Sequence, residues 1–167
     1  ADGQSAHFGA DTATASTHLE LTCLLAPNAS AHEHEMTPQQ MQALSQADYM
    51  FVNGVDLEHF LDQAVDSSGF HGVMAVTSGV KSEGMGDGNG KYTIDEGIEH
   101  VSPRPWPFPG EDGEAPEFKY DPHVWTSPKN AIVQVTNIGA ALEKAAPDQA
   151  GVFRSHVDAY VAKLKKL

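Results

Sequence analysis

The sequence predicts an α/β fold, a parallel sheet flanked by helices, and three observations point to it. Short apolar runs at His18–Leu25, Tyr49–Val52 and Val73–Val76 carry no helical period, amphipathic stretches lie between them, and turn residues separate the two kinds. Strands that alternate with helices at this pitch are joined by crossovers, which makes neighbouring strands parallel.

In chain order, His18 to Leu25 alternates apolar and polar before turning continuously apolar, as a strand with a buried end does. Ala26 to Met36 is a loop. Thr37-Pro38 then sets a capping hydroxyl before a proline at the first helical position, and Met41, Leu44 and Ala47 supply a helix's apolar stripe. Tyr49–Val52 is the next strand. Leu57, Phe60, Leu61, Ala64 and Val65 recur at helical spacing, Gly69 can end that helix, and Val73–Val76 is a further strand.

Ser78 to Tyr120 differs in kind. Glycines at 79, 84, 86, 88, 90 and 97 and prolines at 103, 105, 107 and 109 punctuate an acidic stretch without apolar periodicity, so a long loop that is mobile and dispensable for the fold is expected. Pro128 opens a helix through Ile132, Val135, Ile138 and Leu142. Pro147 opens another, with Val152, Phe153, Val157, Tyr160, Val161 and Leu164 along one side. Run from Asp148 to Leu167, that last helix would extend about 30 Å, more than a small sheet needs for cover, so it reads as a spine leading elsewhere. Its stripe, exposed, predicts self-association.

Composition narrows the function classes. The 167 residues carry a formal charge of -13 with pI near 4.9, which repels nucleic-acid phosphates and excludes a nucleic-acid partner without a basic patch. The one basic cluster, Lys163, Lys165 and Lys166, reads as a helix C-terminal cap. No apolar run approaches the roughly 20 residues of a membrane span. Cys23 is the sole cysteine, so no intramolecular disulfide forms, and it is expected to pack as a small hydrophobe. Nine histidines against ten lysines and arginines direct attention to imidazole, the commonest transition-metal ligand.

Two segments concentrate that chemistry. Ser30-Ala31-His32-Glu33-His34-Glu35 lies in the loop leaving the first strand's carboxyl end, where parallel α/β folds place ligands, and Asp121-Pro122-His123-Val124-Trp125 precedes the Pro128 helix. Alone, the first is a polar pair in a loop and the second a proline turn with a packed tryptophan. Together, with Thr37-Pro38, Ala47-Asp48, Asn53-Gly54-Val55-Asp56-Leu57-Glu58 and Ser127-Pro128-Lys129-Asn130 between and after them, they resemble the solute-binding proteins of bacterial zinc and manganese ABC importers from about Leu19 to Leu142.

The resemblance implies a two-lobe protein outside the cytoplasmic membrane, secreted or lipid-anchored, that binds zinc or manganese and delivers it to an ABC-transporter permease without turnover. It implies that His32 and His123 are the metal ligands of the first lobe, that residues 1–146 form this lobe with 78–120 as its long loop, and that 147–167 begin the inter-lobe helix. The second lobe, which supplies the remaining ligands, would follow Leu167. Two residues depart from the family pattern: Ala31 stands where a proline is usual, and His34 where an aromatic is usual. His34 either stacks as an aromatic would or adds a third nitrogen to the metal. Ala1 to Thr17 also lack the hydrophobic strand and helix with which the family begins. Glu58 is expected at a helix start or behind a ligand, Trp106 as a pin for its own loop, and His59, His71 and His156 as surface or packed residues. Alternatives are a surface adhesin or metal buffer on the same lobe, or a zinc hydrolase, which lacks its His-Glu-x-x-His signature here.

Overall fold

The computed structural model describes residues 5–6, 20–25, 29–32, 34–110, 116 and 118–167. Contacts within the chain gather them into two units, one drawn from Ala1–Ala47 with Phe60–Phe70 and the other from Asp48–His59 with His71–Leu167.

In the first unit, β1 (Ser5–Ala6) pairs antiparallel with β2 (Leu21–Thr22), with Ser5 opposite Thr22 and Ala6 opposite Leu21. The strand expected over His18–Leu25 is thus reduced to two residues among those described, and Leu24 and Leu25 lie in a bend. Leu21 is 37% exposed: an apolar run marks burial only where other layers cover the faces of its strand, and β2 is a two-residue strand with a two-residue partner. β1, two residues long and antiparallel, is not the hydrophobic strand with which the family begins. Cys23, the residue after this two-residue strand, is exposed, not packed.

Helix α1 (Pro38–Gln46) starts where the Thr-Pro pair places it. Thr37 Oγ1 accepts from Gln40 N at 3.3 Å and Gln40 Oε1 accepts from Thr37 N at 2.7 Å, a closed capping box. Gln40 is buried, and its Nε2 donates to Leu24 O, so one side chain fastens both ends of the loop that carries His32 and His34. Helix α2 (Leu61–Ser68) packs on α1 and buries Leu61, Ala64 and Val65 beside Leu44 of α1. It ends at Gly69, whose φ of 73° is the left-handed cap.

The second unit holds the parallel sheet, in the order β3 (Tyr49–Val52), β4 (Val73–Val76), β5 (Thr93–Asp95). Tyr49 is level with Val73 and Val52 with Val76; Val73 is level with Thr93 and Ala75 with Asp95. Helix α3 (Pro128–Ala145) follows a 3-10 turn over Val124–Thr126, and α4 (Ala150–Leu164) follows another over Pro147–Gln149. The core joins Met50 and Val52, Met74 to Val76, and a cluster of Val55, Val101 and Val124.

Two expectations are corrected in this unit. The helix expected from Leu57 begins only at Leu61, since Gly54, Val55 and Asp56 all take positive φ (77°, 55° and 59°) and the following turn is committed to holding that loop. Residues 78–120 are not a bare loop: β5 lies in their middle, and Met85, Val101 and Phe118 are buried. Asn137 of α3 stitches them down, its Oδ1 accepting from Ile98 N at 2.9 Å and Glu99 N at 3.0 Å, its Nδ2 donating to Thr77 O and Glu99 O, both at 2.8 Å. Helix α4, long as expected, packs along α3, where a Cβ on Gly139 would collide with Val157. Its exposed apolar groups are Val152 and Tyr160, while Val157 and Val161 are half-buried.

Candidate metal centre

His123 is the most thoroughly held of the predicted ligands. Its backbone N–H donates to Asp121 Oδ1 at 3.0 Å, and its Nδ1 lies 2.7 Å from the same oxygen. A carboxylate there accepts a hydrogen bond from Nδ1 and fixes the tautomer and orientation of the ring, as the outer partner of a metal-ligating imidazole does. Burial works against the charge of Asp121, but hydrogen bonds from the His123 N–H and ring, with the nearby charges of His123 and Arg104, outweigh it and hold the carboxyl below its ordinary range. The carboxylate form that the imidazole needs is therefore the stable one.

The backbone around His123 follows from its neighbours. Pro122 is buried and its carbonyl accepts from Val124 N at 2.8 Å. His123 stands at the start of the 3-10 turn, where its own carbonyl accepts from Thr126 Oγ1 at 2.7 Å. Ahead of it, Asp121 N donates to Arg104 O at 2.8 Å and Trp106 N to Lys119 O at 3.2 Å, so an antiparallel bridge pins the segment. Trp106 approaches the imidazole with ring centroids 6.4 Å apart and near-parallel planes, and Trp125 edge-on at 5.4 Å. Trp106 also packs on Phe108 and Phe118, as a pin for its own loop does. Beside them a cavity of about 500 Å³ is lined by His123, Asp121, His100, Arg104, Ser127 and Lys129. The His123 side chain is 38% exposed, open to an arriving ion.

His32 and His34 belong to the first unit. His32 is half-buried, with its backbone N–H donating to Ser30 Oγ at 3.2 Å. His34 meets Phe60 edge-on with centroids 5.0 Å apart, the contact an aromatic would make there. Its Nε2 is buried with no hydrogen-bond partner among the described residues. Glu33 lies outside them.

Sequence reasoning missed the amides behind His123. Asn53 Nδ2 donates to Pro122 O at 3.1 Å and to Gly54 O at 2.8 Å, and Gln134 Nε2 donates to Asn53 Oδ1 at 2.8 Å and to Thr77 Oγ1 at 3.2 Å. Their signal in the sequence is slight: Gln134 and Asn137, three apart, share a face of α3, but the same helix carries Lys129, Asn130, Thr136, Glu143 and Lys144 as well. Glu58 lies ahead of the helix start and accepts from Asn53 N at 2.6 Å and Gly54 N at 3.1 Å; burial nevertheless outweighs these bonds and lifts its pKa to about 7. Among the described residues the acids of 78–120 do not gather: Asp95 pairs with Lys144 at 2.6 Å and Glu96 with Lys81 at 3.6 Å, while His100 binds Gly79 O. No three of the described His, Cys, Asp and Glu residues cluster as a metal site. His59 stacks on Phe118; His71 and His156 are exposed.

A carboxylate-held imidazole thus lies beyond the strand ends of the parallel sheet, and comparison with known proteins shows the family. The family described as zinc-uptake complex component A, periplasmic (ZnuA) matches residues 12–167, and the chain belongs to it. Among curated relatives, the metal ABC transporter substrate-binding lipoprotein SsaB of Streptococcus sanguinis is 27% identical over 149 residues, covering 89% of this chain and 42% of that protein. The iron ABC transporter substrate-binding lipoprotein MtsA of Streptococcus pyogenes serotype M1 is 26% identical over 155 residues, covering 93% and 44%. The chain thus spans less than half the length of these relatives. A ZnuA deletion mutant with zinc bound shares the fold at TM-score 0.61 and 22% identity, over 86% of this chain and 45% of that one. Zn(II)-bound AdcA from Streptococcus pneumoniae does so at 0.58 and 20%, over 85% and 25%. FpvC from Pseudomonas aeruginosa in complex with Mn2+ does so at 0.58 and 19%, over 83% and 42%.

Proposed function

We propose that this chain is the amino-terminal lobe of an extracytoplasmic metal-binding protein that captures a divalent transition metal and hands it to an ABC-type permease. The observation that carries the reading is the Asp121–His123 pair: a carboxylate bonded to both the N–H and Nδ1 of one histidine fixes the ring's tautomer and direction, as the outer partner of a metal ligand does. His32 is the second ligand of this lobe in our reading. Residues 1–146 are the lobe and 147–167 the start of a helix toward a second one, which supplies the rest of the coordination shell. The relatives are named for unspecified metals and for iron, and the structural neighbours hold zinc or Mn2+, so the family tolerates several ions on one fold. Between zinc and manganese, imidazole donors favour zinc in vitro.

Among the described residues no helix is long and apolar enough to cross a membrane; a lipid anchor, which the lipoprotein relatives carry by name, would serve an extracytoplasmic carrier. Binding without turnover fits a family named for uptake. His34 supports a second reading of its own: the buried Nε2 without a partner makes it a candidate third nitrogen, against the Phe60 contact that makes it a stacked ring.

Calorimetric zinc titration of the chain and its variants tests this. His32→Ala and His123→Ala should each weaken zinc at least about tenfold, the least that loss of a metal ligand's own support costs. His71→Ala and His156→Ala should change little, and protons should be released on binding. An effect of His34→Ala equal to that of His32→Ala makes His34 a ligand; a small one leaves it stacked. Unchanged affinity in both His32→Ala and His123→Ala would overturn the assignment.

A further inference from the structure

The geometry points to Asn53 as a positioning residue for the His123 imidazole, an inference that rests on the reading of His123 as a metal ligand. Asn53 is the first residue beyond β3, and its amide group is fully engaged: Nδ2 donates to Pro122 O (3.1 Å) and Gly54 O (2.8 Å), and Oδ1 accepts from Gln134 Nε2 (2.8 Å). The Pro122–His123 peptide unit is a rigid plane with a carbonyl at one end and an N–H at the other. Asn53 holds the carbonyl, and Asp121 Oδ1 holds the N–H at 3.0 Å. Two side chains from separate parts of the sequence thus fix the plane that leads into the ligand, and the same Asp121 oxygen then sets the ring.

Asn53 is itself held on every side. Glu58 Oε1 accepts its N–H at 2.6 Å, Ser78 N donates to its carbonyl at 3.3 Å, and Gln134 ties its side chain to Thr77 at the end of β4. Thr77 in turn donates twice to Val52 O, from N at 2.8 Å and from Oγ1 at 2.9 Å. The ends of β3 and β4 and the middle of α3 converge on one amide, which passes their rigidity to Pro122. A metal ligand must be placed to within a fraction of an ångström, and outer partners of ligands typically govern affinity by 10- to 100-fold.

The test compares Asn53→Asp, which keeps the shape and removes both donors, with Asn137→Ala, which breaks four bonds in the same region but none to residues 121–123. The 167-residue chain is titrated with zinc against a chromophoric chelator, loaded with cobalt(II) for its ligand-field absorption, and, metal-free, observed by the nitrogen and proton resonances of the His123 ring. Asn53→Asp should weaken zinc at least about tenfold, change the cobalt(II) spectrum and shift the ring resonances. Asn137→Ala should lower the melting temperature and leave the cobalt(II) spectrum and ring resonances in place. Should Asn53→Asp fail to fold, Asn53→Ser, with a hydroxyl too short to span to Pro122, carries the same expectations. Unchanged ring resonances and affinity in the Asn53 variant would overturn the proposal, as would losses that merely track the melting temperature in both variants under one cobalt(II) spectrum. If ring resonances shift while His123→Ala binds zinc as wild type does, the ligand reading has failed and the strut has not.

Discussion

Glu58 has both carboxylate oxygens committed to amide donors, and burial still lifts its pKa from the ordinary 4.5 to about 7, so desolvation outweighs the two bonds. The folded chain therefore holds this proton more tightly than the unfolded one. Its contribution to stability is fully present below about pH 4.5 and is lost as pH rises through 7, on the order of 3 kcal/mol at the limit. Asp95 and Asp121, held low, act oppositely: their contribution is present above the ordinary value of 3.8 and is lost as pH falls. Urea midpoints of the metal-free chain should decline from pH 4.5 to 7, and Glu58→Gln should flatten that decline; a variant with the wild-type slope would refute the assignment. At this scale the sequence is uneven. His123 is legible because Asp-Pro-His precedes a Ser-Pro helix start, whereas Asn53, Gln134 and Asn137 are not, since an amide on a helix or after a strand reads as solvent-facing until a buried carbonyl is seen opposite it.

The elements divide along the same line. Tyr49–Val52 and Val73–Val76 are read from the chain to the residue because each is a bounded apolar run lying inside a parallel sheet, and α1 because its cap is written as Thr-Pro with Gln three positions after the threonine. β5 escapes that reading. Thr93-Ile94-Asp95 has one strongly apolar residue and becomes a strand only because the β4 edge offers unpaired amides and carbonyls, with Thr93 N reaching Gly72 O at 3.0 Å. Glycine and proline around it report turns truthfully and say nothing of what lies between them. Amide hydrogen exchange should therefore be slow at Ile94, Asp95 and Val101 and fast in the glycine-rich segment 84–90; uniform fast exchange from 78 to 110 would restore a simple loop.

For the chain as a whole, a formal charge of -13 favours cations over polyanions, in keeping with a carrier of divalent metal. Family membership is carried by residues 12–167, and the relatives run more than twice as long as the stretch they share with it.

Cys23 is the one thiol in the chain and is exposed, which makes it a single chemical address. In an oxidising compartment a lone accessible thiol has no partner in its own chain and must find one in another. Purified without reductant, the protein should accumulate a covalent dimer on non-reducing gels that dithiothreitol dissolves and Cys23→Ser never forms; a chain that stays monomeric under air would show the thiol shielded. Capped instead with a fluorescent maleimide, the same sulfur would place one dye per molecule a few residues upstream of the His32 loop, giving zinc arrival an optical readout.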